Sequence, residues 1–203
     1  MRWPLGVTAT VYGDLPIRRA AELARDDGFE HIDALYDAPE GLALPVWDRF
    51  SMRPQAGCTA GPAPERARSW EKTVEDFQRV PGARMEPWPG SVVGDNDAVR
   101  AMLEAVPGLR LTLDVGHVTA WGGDPIELLA FADHVQLRQA RVGAIQSRSG
   151  SVDFAGILDT LASLDYAGRL SVEYFDLPER GWGFDDPRGA ALETAREIRA
   201  LFA

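Results

Sequence analysis

Short apolar runs alternate with longer amphipathic segments along the chain, the pattern that βα units produce around a parallel sheet. The runs predict strands at Leu5–Ala9, His31–Leu35, Ser51–Ala56, Ala83–Trp88, Leu111–Val115, His134–Arg138 and Leu170–Tyr174. Between them, helical spacing predicts helices over Pro16–Asp27, Trp70–Arg79, Asp95–Val106, Pro125–Phe131, Phe154–Leu164 and Gly189–Phe202. Asp95 is placed to cap its helix, Pro107-Gly108 to end it, and Gly168 suits the turn into the last strand. Asp37–Arg49 reads as an irregular turn with room for one helical turn, and Gly57–Arg68, rich in Gly, Pro and Ala, reads as a loop. No repeat, low-complexity tract or compositional break divides the 203 residues, so a single domain over 1–203 is expected.

Strands covered on both sides in a parallel sheet normally read as continuous apolar runs, and several of these do not. Side chains alternate between faces along a strand. Arg84, Glu86 and Trp88 therefore oppose Met85 and Pro87, while Thr112 and Asp114 oppose Leu111, Leu113 and Val115. His134, Gln136 and Arg138 oppose Val135 and Leu137, Ser171 and Glu173 oppose Leu170 and Val172, and Arg53 shares a face with Gln55. By the same phase His31 and Asp33 point inward on the second strand. If the apolar faces meet surrounding helices, the polar faces converge on a common interior, which a closed barrel has and an open sheet lacks. The acidic residues also fall near the C-terminal ends of their strands, where barrels of this kind carry their chemistry.

Glu86, Asp114 and Glu173 buried near one another would cost several kcal/mol per uncompensated charge, a penalty that a divalent cation removes. Three carboxylates with imidazole and amide neighbours make an oxygen-rich shell suited to Mg, Mn or another first-row metal. The competing readings are local: Asp114 as a helix cap, His117 as a core histidine, and Glu86 and Glu173 as structural partners of Arg84 or Arg53. The single Cys58 excludes an internal disulfide and a thiolate metal cluster. A net charge of −10 argues against nucleic acid as a partner. No apolar run of membrane length and no leader pattern is present, so a cytoplasmic protein without a membrane partner is expected. Arg138, Arg141 and Arg148, near Gly143 and Gly150, are read either as a catcher of an anionic group or as a solvated loop. Trp88, Trp121, Trp182 and Tyr12 either wall a polyol or pack.

The ordered pieces "ARMEPWPGS", "LTLDVGH", "DHVQLRQAR", "SVDFAGILDTLASLDYAG" and "LSVEYF" resemble the sugar phosphate isomerase/epimerase family with its xylose-isomerase-like TIM barrel. The resemblance is clearest from Ala83 to Phe175. It implies an α/β fold, a (β/α) TIM-like barrel, here shortened in its N-terminal half and open to a seven-stranded form, with an exposed site or one completed by a partner chain. It implies a divalent metal (Mn, Mg, Co or Zn) on Glu86, Asp114, Glu173 and the residue at position 136. The family's HxHxxD strand reads "HVQLRQ" here, with Gln136 in place of the ligand His and Gln139 in place of the Asp. On this resemblance Glu86 and Glu173 are the acid/base pair and His117 binds substrate; Arg138, His134, Trp88 and Arg141 are added as substrate-binding candidates from their places on strand and loop. The expected activity is a metal-dependent isomerisation or epimerisation of a small sugar-like, neutral or anionic hydroxy-carbonyl compound through an enediolate. The alternatives are a non-catalytic accessory barrel that has lost its metal, and a dehydratase or phosphodiesterase of the same superfamily. A homo-oligomer is left open.

Overall fold

A computed structural model describes residues 3–35, 37–50, 63–80 and 82–202. The elements in chain order are β1 (Leu5–Thr8), α1 (Ile17–Asp26), β2 (Ile32–Leu35), β3 (Val46–Phe50), α2 (Ala63–Gln78), β4 (Arg84–Met85), α3 (Asn96–Ala105), β5 (Arg110–Asp114), α4 (Val115–Ala120), β6 (Ala132–Leu137), α5 (Phe154–Ser163), β7 (Arg169–Val172) and α6 (Pro187–Leu201). Three short 3₁₀ turns, at Ala9–Tyr12, Pro125–Phe131 and Pro178–Arg180, complete the path. All strand pairs are parallel, in the order β3-β2-β1-β7-β6-β5-β4. The seven described strands form a curled, shortened TIM-type barrel in which β1 and β7 join but β3 and β4 are the two ends.

The alternation along the strands separates two environments. Leu5, Val7, Ile32, Leu111, Leu113, Val135, Leu137, Leu170 and Val172 face outward into one apolar core shared with the helices. Burying an aliphatic side chain of this size contributes about 1.5–3 kcal/mol, so this outer shell supplies the bulk of the cohesion. The helices meet it with small or regularly spaced residues: Ala20, Ala21 and Ala24 on α1, and Phe154, Ile157, Leu158 and Leu161 on α5. Asp95, Asp153 and Asp186 cap α3, α5 and α6 by accepting from the Ala98, Gly156 and Gly189 amides. The inward set, Thr8, His31, Asp33, Thr112, Asp114, His134, Gln136, Arg138, Ser171 and Glu173, is polar and also buried.

Two departures from the sequence pattern matter for the site. The strand predicted at Ser51–Ala56 lies outside the described residues, and the third observed strand is Val46–Phe50, inside the segment read as an irregular turn. Residues 63–68, read as loop, open α2, because Ala, Glu and Arg are good helix formers once past the Gly/Pro-rich start. The gap between β3 and β4 has no backbone ladder among the described pairs. One side-chain pair crosses it: Arg84 at the start of β4 donates to Asp48 of β3. Arg84 also donates, through Nε and Nη2, to both oxygens of Asp133 on β6 at 3.0 and 3.1 Å, and Arg110 of β5 lies 3.2 Å from Asp133.

Candidate active site

The floor of the barrel is a buried polar cluster. His31 sits against Gly6, where any Cβ would collide with its ring, so only glycine fits that point of β1. Its Nε2 lies 3.0 Å from Ser171 Oγ. Asp33 accepts the Asp48 amide at 3.1 Å and lies 3.1 Å from His134 Nε2. His134 Nδ1 is 3.9 Å from the second oxygen of Asp48. Burial disfavours the charged imidazole of His134, but Asp33 and Asp48 outweigh it and raise its pKa. Burial alone dominates at His31 and lowers its pKa to about 4. His134 has no exposed surface and its contacts are with Asp33 and Asp48 in this floor, a layer below Gln136.

One layer higher the composition changes. Strand register places Asp114, Gln136 and Ser171 side by side, with Arg138 and Glu173 above them. Asp114 ends β5 and starts α4, a helix that the apolar pattern of "VGHVTA" had hidden. Its Oδ1 caps that helix by accepting from the Gly116 and His117 amides, at 2.8 and 3.3 Å, and its Oδ2 is left for the interior. Asp114 is a helix cap through one oxygen, and the other oxygen stays free of that role.

Arg138 donates to Asp114 Oδ2 and lies 3.2 Å from Glu173 Oε2. Its approach requires Gly116, since a Cβ there would meet the guanidinium and the Ile145 carbonyl. On its other side the guanidinium stacks 4.8 Å from the Phe175 ring centroid. Enclosed in this way, Arg138 orients carboxylates; it is not free to reach the remote end of a substrate. Arg148 is spent on Asp186 and Glu193 at the surface, and Arg141 is exposed in a loop bridge with Ala144. The loop does not converge on the acidic cluster.

His117 stands on α4 with Nδ1 3.0 Å from the Pro87 carbonyl, 3.4 Å from Asp114 Oδ2 and 3.8 Å from Glu86 Oε1. A carbonyl only accepts, so Nδ1 carries the proton and Nε2 keeps its lone pair. That Nε2 is buried and has no hydrogen-bond partner. Burial lowers the His117 pKa to about 4, against the pull of Asp114, and keeps the ring neutral.

Ligand-type atoms of Glu86, Asp114 and His117 lie within 4.8 Å of one another. Enclosure by the barrel mouth, with Asp114 nearby, pushes Glu86 up to about 7 although Arg138 opposes the shift. Burial, then Glu86 and Asp114, raises Glu173 well above the usual carboxylate range, despite Arg138. Burial acts on Asp114 as well, but Arg138 and His117 outweigh it and hold that carboxyl low. Arg84 pairs with neither glutamate, and Arg53 lies outside the described residues.

The donor set fits a divalent cation on two counts. The charges of Glu86, Asp114 and Glu173 face one guanidinium, which leaves an excess of two negative charges when all three are ionised. Gln136 Oε1, buried beside Asp114, has no hydrogen-bond partner. Glu86, Asp114, Gln136 and Glu173 are the residues that would hold the ion.

Of the predicted aromatics, Tyr12 bonds to Asp27 and Trp121 to Asn96, both structural. Trp88 packs edge-on against Trp182 at 6.2 Å. Residue phase could find Asp114, Gln136 and Glu173; the orientation of His117 by Pro87 leaves no local signal.

The sequence model of a xylose isomerase-like TIM barrel matches residues 17–201. Among solved structures, a xylose isomerase-like TIM barrel/4-hydroxyphenylpyruvate dioxygenase fusion protein is similar with a TM-score of 0.67 at 16% identity, over 99% of this chain and 43% of that one. The present chain thus spans less than half of the fusion protein. D-psicose 3-epimerase from Clostridium cellulolyticum H10, solved with D-tagatose, gives a TM-score of 0.66 at 12% identity over 98% of this chain and 99% of that one. The probable 3-DHS dehydratase AsbF, involved in petrobactin synthesis in Bacillus anthracis, gives 0.65 at 15% identity over 100% and 99%. The chain has no match among curated proteins. At these identities the likeness establishes the fold.

Proposed function

The chain belongs to the xylose isomerase-like TIM barrel family, and we propose that it is an isomerase or epimerase of a small, sugar-like hydroxy-carbonyl substrate. The observation that carries the reading is the pair Glu86 and Glu173, two carboxyls with raised pKa beside the low-pKa Asp114 at the C-terminal end of the barrel. One glutamate removes the proton on the carbon next to the carbonyl and the other returns it. Arg138 fixes the direction of Glu173 and keeps Asp114 ionised. His117 accepts a hydrogen bond from a substrate hydroxyl at Nε2, the lone pair its contact with Pro87 leaves open. Glu86, Asp114, Gln136 and Glu173 would hold a divalent metal, which would supply Lewis-acid chemistry at this point of the site. Trp88 lines the wall next to Glu86, and Arg141 lies at the loop rim.

Dehydration is the second reading, since a raised-pKa acid such as Glu173 also protonates a departing β-hydroxyl, and one structural neighbour is a probable 3-DHS dehydratase. One experiment separates the two. Ketoses and β-hydroxy-ketones are incubated with protein and Mn²⁺ in D₂O and followed by NMR. An epimerase exchanges the proton on the carbon beside the carbonyl and yields a second stereoisomer; a dehydratase yields a conjugated carbonyl. Glu86→Gln and Glu173→Gln are each expected to reduce turnover about a thousandfold with an unchanged unfolding temperature. Wild-type rates in both variants would sink the acid/base assignment.

A further inference from the structure

Arg138 follows directly on β6, has no exposed surface, and lies against two of the four residues that would hold the ion. Its Nη2 donates to Asp114 Oδ2, and its Nη1 is 3.2 Å from Glu173 Oε2. Those oxygens are not spare. The other oxygen of Asp114 accepts the Gly116 and His117 amides at 2.8 and 3.3 Å and is committed to the start of α4. An ion drawing on Asp114 therefore needs Oδ2, the oxygen that Arg138 already holds. Ligand-type atoms of Glu86, Asp114 and His117 lie within 4.8 Å of one another, and Glu173 is not a member of that group. The third carboxylate faces the guanidinium instead.

Arg138 is also fixed in place. On one side runs the backbone of α4, so close that a Cβ on Gly116 would collide with Nε and Cγ of the arginine and with the Ile145 carbonyl. On the other, the Phe175 ring centroid is 4.8 Å from the guanidinium carbon. Withdrawing the side chain from Asp114 and Glu173 would leave a buried charge without its partners, which is strongly unfavourable. The guanidinium thus neutralises, through the same oxygens, part of the charge that attracts a divalent ion.

We propose that Arg138 is a built-in competitor for the divalent ion, an internal cation that takes up Asp114 Oδ2 and faces Glu173 Oε2 and so sets how weakly this site holds metal. It acts through the two carboxylates and is a positioning residue. The inference rests on the metal-holding part of the proposed function and is independent of which reaction runs at the site.

The test is the Kd for Mn²⁺, measured by titration calorimetry on wild type, Arg138→Lys, Arg138→Met, and Arg138→Met combined with Asp114→Asn. Removing the charge in Arg138→Met is expected to tighten Mn²⁺ binding about a hundredfold. Arg138→Lys keeps the charge but presents it from a single nitrogen that cannot engage both carboxylates, and is expected to tighten binding about tenfold. The gain is expected to vanish when Asp114→Asn is added. A merely structural arginine predicts the opposite sign, since its loss would loosen the site and weaken binding. If Arg138→Met does not fold, Arg138→Lys alone decides: tighter binding than wild type supports the competition, and equal or weaker binding overturns it. A gain that survives Asp114→Asn would also overturn it, because the ion would then sit elsewhere. Equal affinities in every variant leave the metal reading standing and sink the competition alone. No Mn²⁺ binding by any of them sinks both.

Discussion

The barrel contains two buried polar layers, and they are built on opposite principles. In the floor, Asp33, Asp48 and Asp133 face His134, Arg84 and Arg110, and each acid has a cationic partner within 3.2 Å or closer. Charge is balanced, and the contacts run from β2 and β3 across to β4, β5 and β6. One layer up, Glu86, Asp114 and Glu173 share a single guanidinium. Charge that is balanced holds the fold together; charge left in excess is available to something from outside. The same inward phase of the same strands produces both, so burial of polar groups alone does not locate a site. The balance of partners does.

Removing one arginine from each layer breaks the comparison most severely. Arg84→Met strands Asp48, leaves Asp133 to Arg110 alone, and is expected to destabilise the fold by up to about 3 kcal/mol, with no recovery on adding Mn²⁺. Arg138→Met also loses stability, but millimolar Mn²⁺ is expected to raise its unfolding temperature, since the metal enters the layer left with excess charge. Rescue of Arg84→Met by Mn²⁺, or its absence in Arg138→Met, would erase the distinction. Calorimetric scans of the two variants decide it.

A smaller effect sharpens the upper layer. Gln136→His replaces a neutral amide oxygen with an imidazole and is expected to tighten Mn²⁺ binding roughly tenfold. An unchanged Kd by titration calorimetry would mean that position 136 does not face the ion.

The smallest effect lies in the floor. The folded pKa of His31, near 4, is below its ordinary value of about 6.5, so the unfolded chain binds the extra proton more readily. The stability contributed by neutral His31 is complete above pH 6.5 and declines by about 1.4 kcal/mol per pH unit as pH falls toward 4. Asp33, His134, Arg169 and Glu30 surround the ring and are common to both proteins compared. In His31→Gln, the stability profile between pH 6.5 and 4 is expected to be flatter than in wild type. Parallel profiles from denaturant titrations at each pH would contradict it.

The sequence made the repeating part of this architecture legible. Alternation in "RLTLD" and "DHVQL" separated the inward Thr112, Asp114, His134 and Gln136 from the outward leucines and valines, and the acidic strand ends pointed to the site. What it hid depends on distant partners. Val46–Phe50 looks like a turn because its inward residue is a charge, Asp48, whose counter-ion lies 36 residues away. The role of Arg138 depends on Gly116 making room for it. Local pattern records which way a side chain points; it does not record what it meets there.

The seam between β3 and β4 has a geometric consequence. In a barrel closed by a continuous ladder, strand number, tilt and shear are locked together, and no strand can be added or lost without resetting the others. A seam clasped by Arg84 and Asp48 imposes no register on the strands it joins. A whole βα unit can be gained or deleted at that wall while the five strands from β1 through β7, β6 and β5 to β4 keep their pairing.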